Sequence, residues 1–278
     1  MTVSVVMASC NPDYDLLKSS VLSVLCQTYR DFELIIVDDG SKIPIEPIIK
    51  SISSDERIRV YRINNSGLGA ALNYGIRKSK GCYIARLDDD DLMSIDRLQI
   101  QKDYLDNHLG VSCVGSHRYS YCNGKFLKHH KFPIEHDEII KSLLSLKFSM
   151  AHSALMFRRE SFDRIGGYRI SGVGQDLDLL LQMGIVGHLA NVDAYLVYYY
   201  LSLGSLSAVN PYKRLNAYLY ALRSVVDNKQ YVQFTELTLQ SISKINDTLK
   251  SNRKKRNLKK IVTVMLVAIF GNRIPDKL

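Results

Sequence analysis

The stretch "ARLDDDDLMSIDRL", residues 85–98, sets Asp88, Asp89, Asp90 and Asp91 side by side directly after a short apolar run. Two like charges about 4 Å apart repel by about 1 kcal/mol in water and about 4 kcal/mol at an effective dielectric near 20. Such a row is tolerable only if it is solvated, caps a helix, or is neutralised by a cation. One aspartate suffices to cap the helix that follows, so four point to a bound divalent cation. Oxygen-only ligands at a partly open site favour Mg2+ or Mn2+, which retain waters and take phosphate oxygens as further ligands. Two other acidic stations stand out. Asp38 and Asp39 end the apolar run "FELIIVDDG", where D-G-S is also ordinary turn chemistry. Asp176 opens a helix behind the glycine-rich "GGYRISGVGQD", where it reads equally as a general base or as a helix-terminal charge favoured by the dipole. Asp178, two residues on, is expected to point elsewhere on that helix.

These stations need a scaffold. "SVVMAS" (4–9), "FELIIVDDG" (32–40), "IRVYRI" (58–63) and "CYIARL" (82–87) read as buried strands, β-branched and bounded by turn residues. Asn11 or Asp13 can cap a helix that puts Leu16, Leu17, Val21, Val24 and Leu25 on one face. "GLGAALNYGIRKSKG" (67–81) supplies another helix, ending at a glycine. Strands alternating with helices imply parallel βαβ units with right-handed crossovers. A helix from Ser94 to residue 108 follows, then strands at 111–116 and 152–159, a helix at 175–186 and a strand at 193–201. Beyond residue 209 two helices remain. In an open parallel sheet, ligands bind beyond the carboxyl ends of the strands near the switch in strand order. Asp38-Asp39 and Asp88–Asp91 both fall at such ends.

The 278 residues allow one large domain or a domain with an appendage. Five cysteines without a C-x-x-C pair argue against a disulfide framework or a zinc site and fit a reducing cytoplasm. No basic, apolar leader is expected at the start. Of the net charge of +9, residues 250–278 supply nine cations and one anion, so the body is nearly neutral. A nucleic-acid partner is therefore not expected, because its cations belong on a folded face among aromatics. The position after the first strand reads "ASCNPDYD" rather than G-x-G-x-x-G, and no G-x-x-x-x-G-K-[ST] occurs. A dinucleotide fold and a P-loop are thus excluded. Phosphates are left to a metal, which points to a nucleoside-diphosphate sugar or a similar donor.

In this order, "SVVMASCN", "SVLSVLCQTYRDFELIIVDDGS", "GLGAALNYGIRKSKGCYIARLDDDD", "AHSALMFRRESFDRIGGYR" and "GQDLDLLLQM" resemble the family 2 glycosyltransferases of GT-A fold. The resemblance spans roughly residues 3–207. It implies an α/β, Rossmann-like and mostly parallel central sheet flanked by helices. Residues 1–115 would form the nucleotide-binding half, 116–207 the acceptor-binding half, and 208–278 a helical extension with a basic and apolar tail. By position, Ser9, Asp39, Asp88 and Asp89 would hold the nucleotide. Asp88 and Asp90, as D-x-D, would hold Mn2+ or Mg2+, and Asp176 would be the general base. His152 and Gln175 would lie on the acceptor side. The resemblance also implies inverting transfer from a nucleotide sugar, with UDP preferred by the family. Three positions depart from the pattern. Cys10 replaces an expected aromatic ring, and Tyr200 and Ser202 stand where an Arg and a His are usual. No Q-x-x-R-W follows, which argues against a processive polymerase.

The tail "KSNRKKRNLKKIVTVMLVAIFG" (250–271) sets cations before an apolar stretch about half the ~20 residues needed to cross a bilayer. It is expected to lie at the inner membrane face, each cation contributing about 1 kcal/mol near an anionic leaflet. The alternative is a C-terminal helix docked on the body. A membrane-edge location suits an acceptor sugar carried on a polyprenyl diphosphate, as in O-antigen or capsule assembly. Rival readings are a catalytically inactive nucleotide-sugar-binding protein and a sugar nucleotidyltransferase. The latter needs a glycine-rich, cationic loop that "ASCNPDYD" lacks.

Overall fold

Strand β1 (Val3–Ser9) is buried along its whole length, with Val6 and Ala8 packed on one side and Val3, Val5 and Met7 on the other. β2 (Phe32–Asp39) repeats the alternation, Ile35 and Val37 against Phe32, Leu34 and Ile36. Strands apolar on both faces belong in the middle of a helix-covered sheet. A computed structural model describes residues 2–122, 125–201 and 211–255.

β1 pairs in parallel with β2 and with β4 (Tyr83–Arg86), and β2 in parallel with β3 (Ile58–Ile63). The order β3-β2-β1-β4 reverses at β1, so the carboxyl ends of β1 and β4 flank the switch point. Beyond β4 short antiparallel strands join a sheet that stays mostly parallel, as expected. β8 (Met156–Arg158) is antiparallel to β4 and to β6 (Val111–Cys122). β9 (His188–Tyr200) is parallel to β6, while β5 (Leu92–Met93) is antiparallel to β9 and β7 (Lys125–His130) is antiparallel to β6. The link from β4 to β5 therefore crosses the carboxyl edge of the sheet and carries the aspartate row with it.

One face is covered by α1 (Tyr14–Leu25), α2 (Glu46–Ile52) and α4 (Arg97–Asn107). The other carries α3 (Leu68–Lys78), α5 (His136–Leu144), α6 (Arg159–Arg164), α7 (Gln175–Val186), α8 (Pro211–Arg223) and α9 (Thr235–Lys255). Asp13 caps α1 by accepting from the Asp15 and Leu16 N–H groups. α3 lies close on the sheet because Gly75 has no side chain: a Cβ there would meet Val6 and Val37 methyls at 2.8 and 2.9 Å. The helices beyond residue 208 share the main core, with Leu215, Leu222, Val225, Tyr231 and Ile245 in the same apolar cluster as Leu179 and Met183.

Some boundaries differ from expectation. The helix expected from Ser94 begins at Arg97, because the Ser94 hydroxyl donates to Asp96 Oδ1 at 2.7 Å and holds that turn open. Residues 152–154 form a 3-10 turn ahead of β8, and α3 stops at Ser79. No described helix is long and apolar enough to cross a membrane, and residues 256–278 of the tail lie outside the described residues.

Candidate active site

At the switch point, ligand atoms of Asp88, Asp90 and Asp91 lie within 4.8 Å of one another. Asp88 ion-pairs with Arg86, the last residue of β4, whose side chain is almost wholly buried. Asp89 turns away: its Oδ2 accepts from the Ser9 hydroxyl at 2.5 Å and ties the row to the end of β1. Three neighbours hold the loop in place. The Ser20 hydroxyl donates to the Asp88 carbonyl at 2.9 Å, the Tyr121 hydroxyl to the Asp90 carbonyl at 3.1 Å, and the Tyr200 N–H to Asp91 Oδ1 at 2.8 Å.

The electrostatics suit a cation. Burial, then the charge of Asp88, pushes Asp90 up to about 9 and Asp91 up to about 7. Burial outweighs the Ser9 hydroxyl and takes Asp89 to about 6. Asp91 Oδ2 is buried without a hydrogen-bond partner, and so are Nε and Nη1 of Arg86. A buried polar atom left unpaired costs about 1–3 kcal/mol. Three converging carboxylates with an orphaned oxygen are a suitable donor set for a hard divalent ion.

Arg86 is supported from below by another buried arginine. Arg97 Nη2 donates to the Arg86 and Leu155 carbonyls at 2.9 and 3.1 Å, Nη1 to the Ser153 carbonyl at 2.8 Å, and Nε to Gln101 Oε1 at 2.9 Å. Burial and the Arg86 charge push Arg97 down to about 9, so it remains charged at neutral pH.

The second station is the N-terminus of α7. Gly174 precedes it with φ +92°, and a Cβ there would meet Ala217 of α8 at 2.6 Å. Asp176 Oδ1 accepts from the Leu177 N–H at 2.9 Å. Its carboxyl is raised, because burial outweighs the Leu177 N–H and the charges of Arg214 and Arg86. Asp178 does point elsewhere, into an ion pair with Arg169. Gln175 is buried beside Asp176, and its Oε1 has no partner. His152 Nε2 lies 2.8 Å from the Tyr168 hydroxyl, and burial, then Arg86, holds the imidazole neutral. The Arg86 charge acts on the aspartate row, on His152 and on Asp176, so the two stations lie within electrostatic reach of the same guanidinium.

Two contacts tie the segment that leads to α7 onto α3. The Gly69 N–H at the start of α3 donates to the Ser171 carbonyl at 2.9 Å, and Asn73 brackets Tyr168 by bonding both its N–H and its carbonyl. Asp39 anchors the same region from β2, its two oxygens accepting from the Ser66 and Gly67 N–H groups at 2.7 and 3.0 Å. Asp38 is a turn residue that accepts from the Ser41 N–H and pairs with Arg62. Cys10 lies exposed between Asn11 and Asn65 at the lip.

Sequence reasoning passed over several of these groups. Arg86 and Arg97 could have been found only as charges inside otherwise apolar elements. Asp91 joins the cluster where Asp89 leaves it, which depends on the turn and not on residue type. Arg118 of β6, buried between the rings of Phe148 and Tyr199 at 4.7 and 4.0 Å, has no signal beyond being a cation in a strand.

Known proteins share this architecture. S. aureus TarS residues 1–349, in a structure with UDP-GlcNAc, superposes with a TM-score of 0.74 over 97% of this chain and 82% of that one, at 14% identity. The mannosyltransferase PcManGT from Pyrobaculum calidifontis, in complex with GDP-Man and Mn2+, gives 0.65 over 94% of this chain and 78% of that one, at 14% identity. In sequence, the O-antigen biosynthesis glycosyltransferase WbnJ of Escherichia coli is 37% identical over 167 residues, 59% of this chain and 65% of that protein. An uncharacterized glycosyltransferase of Rickettsia bellii is 38% identical over 109 residues, 39% of this chain but only 16% of its own length. The chain thus covers less than two thirds of these sequence relatives. Residues 4–166, more than half of the chain, match the model of glycosyl transferase family 2, and the protein belongs to that family.

Proposed function

We propose that this chain is a metal-dependent, inverting glycosyltransferase that moves a hexose from a UDP-sugar to a hydroxyl of an acceptor saccharide. The observation that carries the reading is the convergence of Asp88, Asp90 and Asp91 at the switch point, with Asp176 within electrostatic reach of the same Arg86. The UDP-GlcNAc held by TarS and the GDP-Man and Mn2+ held by PcManGT support a nucleotide-sugar donor and a metal on this fold. Asp88 and Asp90, with Asp91 added by the geometry, would hold Mn2+ or Mg2+. When bound, the ion would supply a Lewis acid against charge developing on the leaving diphosphate.

The chain's own residues do the rest. Ser9 and Asp39 border the nucleoside, with Asp89 steadying Ser9. Asp176 accepts the proton of the acceptor hydroxyl, and the burial that raises its carboxyl makes it the stronger base; positioned bases contribute about 10²–10⁴-fold. The hydroxyl oxygen bonds to the anomeric carbon as the carbon–oxygen bond to the diphosphate breaks, and the bonding pair leaves with the nucleotide. One displacement inverts configuration, so an α-linked donor gives a β-linked product. His152, neutral and bonded to Tyr168, and Gln175, with an open oxygen, line the acceptor side as hydrogen-bonding groups.

WbnJ, an O-antigen enzyme by name, supports an acceptor in surface-polysaccharide assembly, of O-antigen or capsule type, carried on a polyprenyl diphosphate. The reaction would then take place at the cytoplasmic face of the membrane, aided by the cations of residues 250–278. A second reading, a nucleotide-sugar binder without turnover, draws on Cys10, Tyr200 and Ser202. The test is Asp176→Asn: transfer should fall by about 10²–10⁴-fold while calorimetric affinity for UDP with Mn2+ stays within a few-fold of the parent. Near-normal turnover in that variant would refute the assignment. Metal-dependent UDP binding with no product from the parent, across a donor panel, would establish the binder.

A further inference from the structure

Strand β7, "KFLKHH", is exposed from Lys125 through His129, and the chain from Asn107 to Ile134 contains no acidic residue. Successive strand residues point to opposite faces. Phe126 and Leu127 are nevertheless both open, at 60% and 51% exposure, so β7 stands clear of the body on either side. Lys125 and Lys128 flank this apolar pair and enter no ion pair among the described residues, whereas Lys131 pairs with Asp193 at 3.2 Å. The base of the hairpin is firm. Tyr119 meets the Phe126 ring edge-on at 5.6 Å and stacks on Tyr195 and Tyr198 at 4.7 and 5.2 Å.

We infer that β7 is a docking element for an anionic lipid surface, with Phe126 and Leu127 entering the headgroup layer and Lys125 and Lys128 meeting lipid phosphates. An apolar pair set among cations is the composition that binds such an interface. Edge-to-edge pairing of β7 with a second copy is opposed by the same lysines, which guard a free strand edge by repulsion.

The position carries a consequence for the acceptor, which rests on the glycosyltransferase reading. Phe126 is the cross-strand partner of Tyr121, whose hydroxyl holds the Asp90 carbonyl. A docked β7 therefore sets the acidic cluster one strand spacing and one tyrosine length from the headgroups. An acceptor reaching it is then a short saccharide whose lipid diphosphate stays close to the reacting hydroxyl.

The test uses the full chain, co-sedimented with phosphatidylglycerol vesicles and, for comparison, phosphatidylcholine vesicles, with no donor or acceptor present. Binding should require phosphatidylglycerol and weaken at high salt. Amides 125–130 should become protected from hydrogen exchange on the vesicles. F126S/L127S and K125E/K128E should each weaken partitioning by roughly tenfold or more, with thermal unfolding shifted little because these side chains are largely exposed. Failure of the parent to bind, unchanged partitioning of both variants, or binding without protection at 125–130 would overturn the inference. So would a change in oligomeric state by light scattering with vesicle binding intact, which would assign β7 to a second copy. Because no sugar transfer is measured, vesicle binding by a chain that transfers nothing would leave this surface standing and remove only the glycosyltransferase reading.

Discussion

Gly69→Ala adds one methyl group at the first turn of α3, where it should be worth about 1 kcal/mol as a gain in helix propensity. The structure gives the opposite expectation for function. A Cβ at Gly69 would lie 2.1 Å from the Ile170 carbonyl oxygen and 3.2 Å from Ser171 Cα. Both are backbone atoms, so no rotamer relieves the contact. Reaching ordinary van der Waals distance, 3.4 Å or more, requires the two segments to part by on the order of 1 Å. The segment displaced leads directly to Gly174 and Asp176. A misplacement of about 1 Å at a reacting group costs about 10²-fold in rate. Steady-state transfer from UDP-sugar should therefore show kcat down by about two orders of magnitude. The matched control lies in the same loop: a Cβ at Gly172 meets nothing within 4 Å, so Gly172→Ala should be silent. Full activity in Gly69→Ala, together with a raised Tm, would refute the idea that this backbone contact sets the position of Asp176.

Other perturbations follow the same logic. Arg97→Met should orphan the Arg86, Ser153 and Leu155 carbonyls and lower stability by about 3 kcal/mol after relief of the buried charge. Differential scanning calorimetry should show a Tm fall of roughly 6–12 °C; an unchanged Tm would mean that Arg97 does not hold the floor of the site. His130 is pushed down to about 4 by burial and by the Arg118 charge. Its folded value lies below its unfolded one, so the unfolded chain binds the extra proton between about pH 6.5 and 4, and this share of stability is lost as pH falls through that window. An NMR titration should place the His130 midpoint near 4, and His130→Asn should flatten the acid-side loss in urea unfolding; a midpoint near 6.5 would contradict the burial.

Much of the frame was legible because its signals are local. The apolar run of β1 and the alternating burial of β2 follow from residue type, and the Asp13 cap lies where a capping residue precedes an amphipathic pattern. The acidic stations could be found because charge at the end of an apolar strand is costly and needs a reason. Non-local features were not legible. β5 is two residues long and exists only through β9, and β7 is too polar to stand out as a strand, whereas α5, with Asp137 and Glu138 in its first turn and Ile139, Ile140, Leu143 and Leu144 on one face, carried a local signal that the sequence reading passed over. The switch from parallel to antiparallel at β8 is set by which edge the chain returns to, a tertiary choice. Within the site, Asp91 joins the cluster and Asp89 leaves it because the chain turns here, the Asp91 N–H donating to the Asp88 carbonyl at 3.3 Å, and Ser9 claims Asp89. The raised carboxyl of Asp176 depends on its burial in the tertiary fold, which the spacing of residues 174–178 does not encode.

The acidic cluster is tested most directly by calorimetric titration of the full chain with Mn2+, with and without UDP. One site should appear, its affinity raised by UDP, and it should vanish in Asp88→Ala/Asp90→Ala while the fold melts as a single transition. No association with either Mn2+ or UDP, or an undiminished signal in the double variant, would contradict the assignment of these carboxylates.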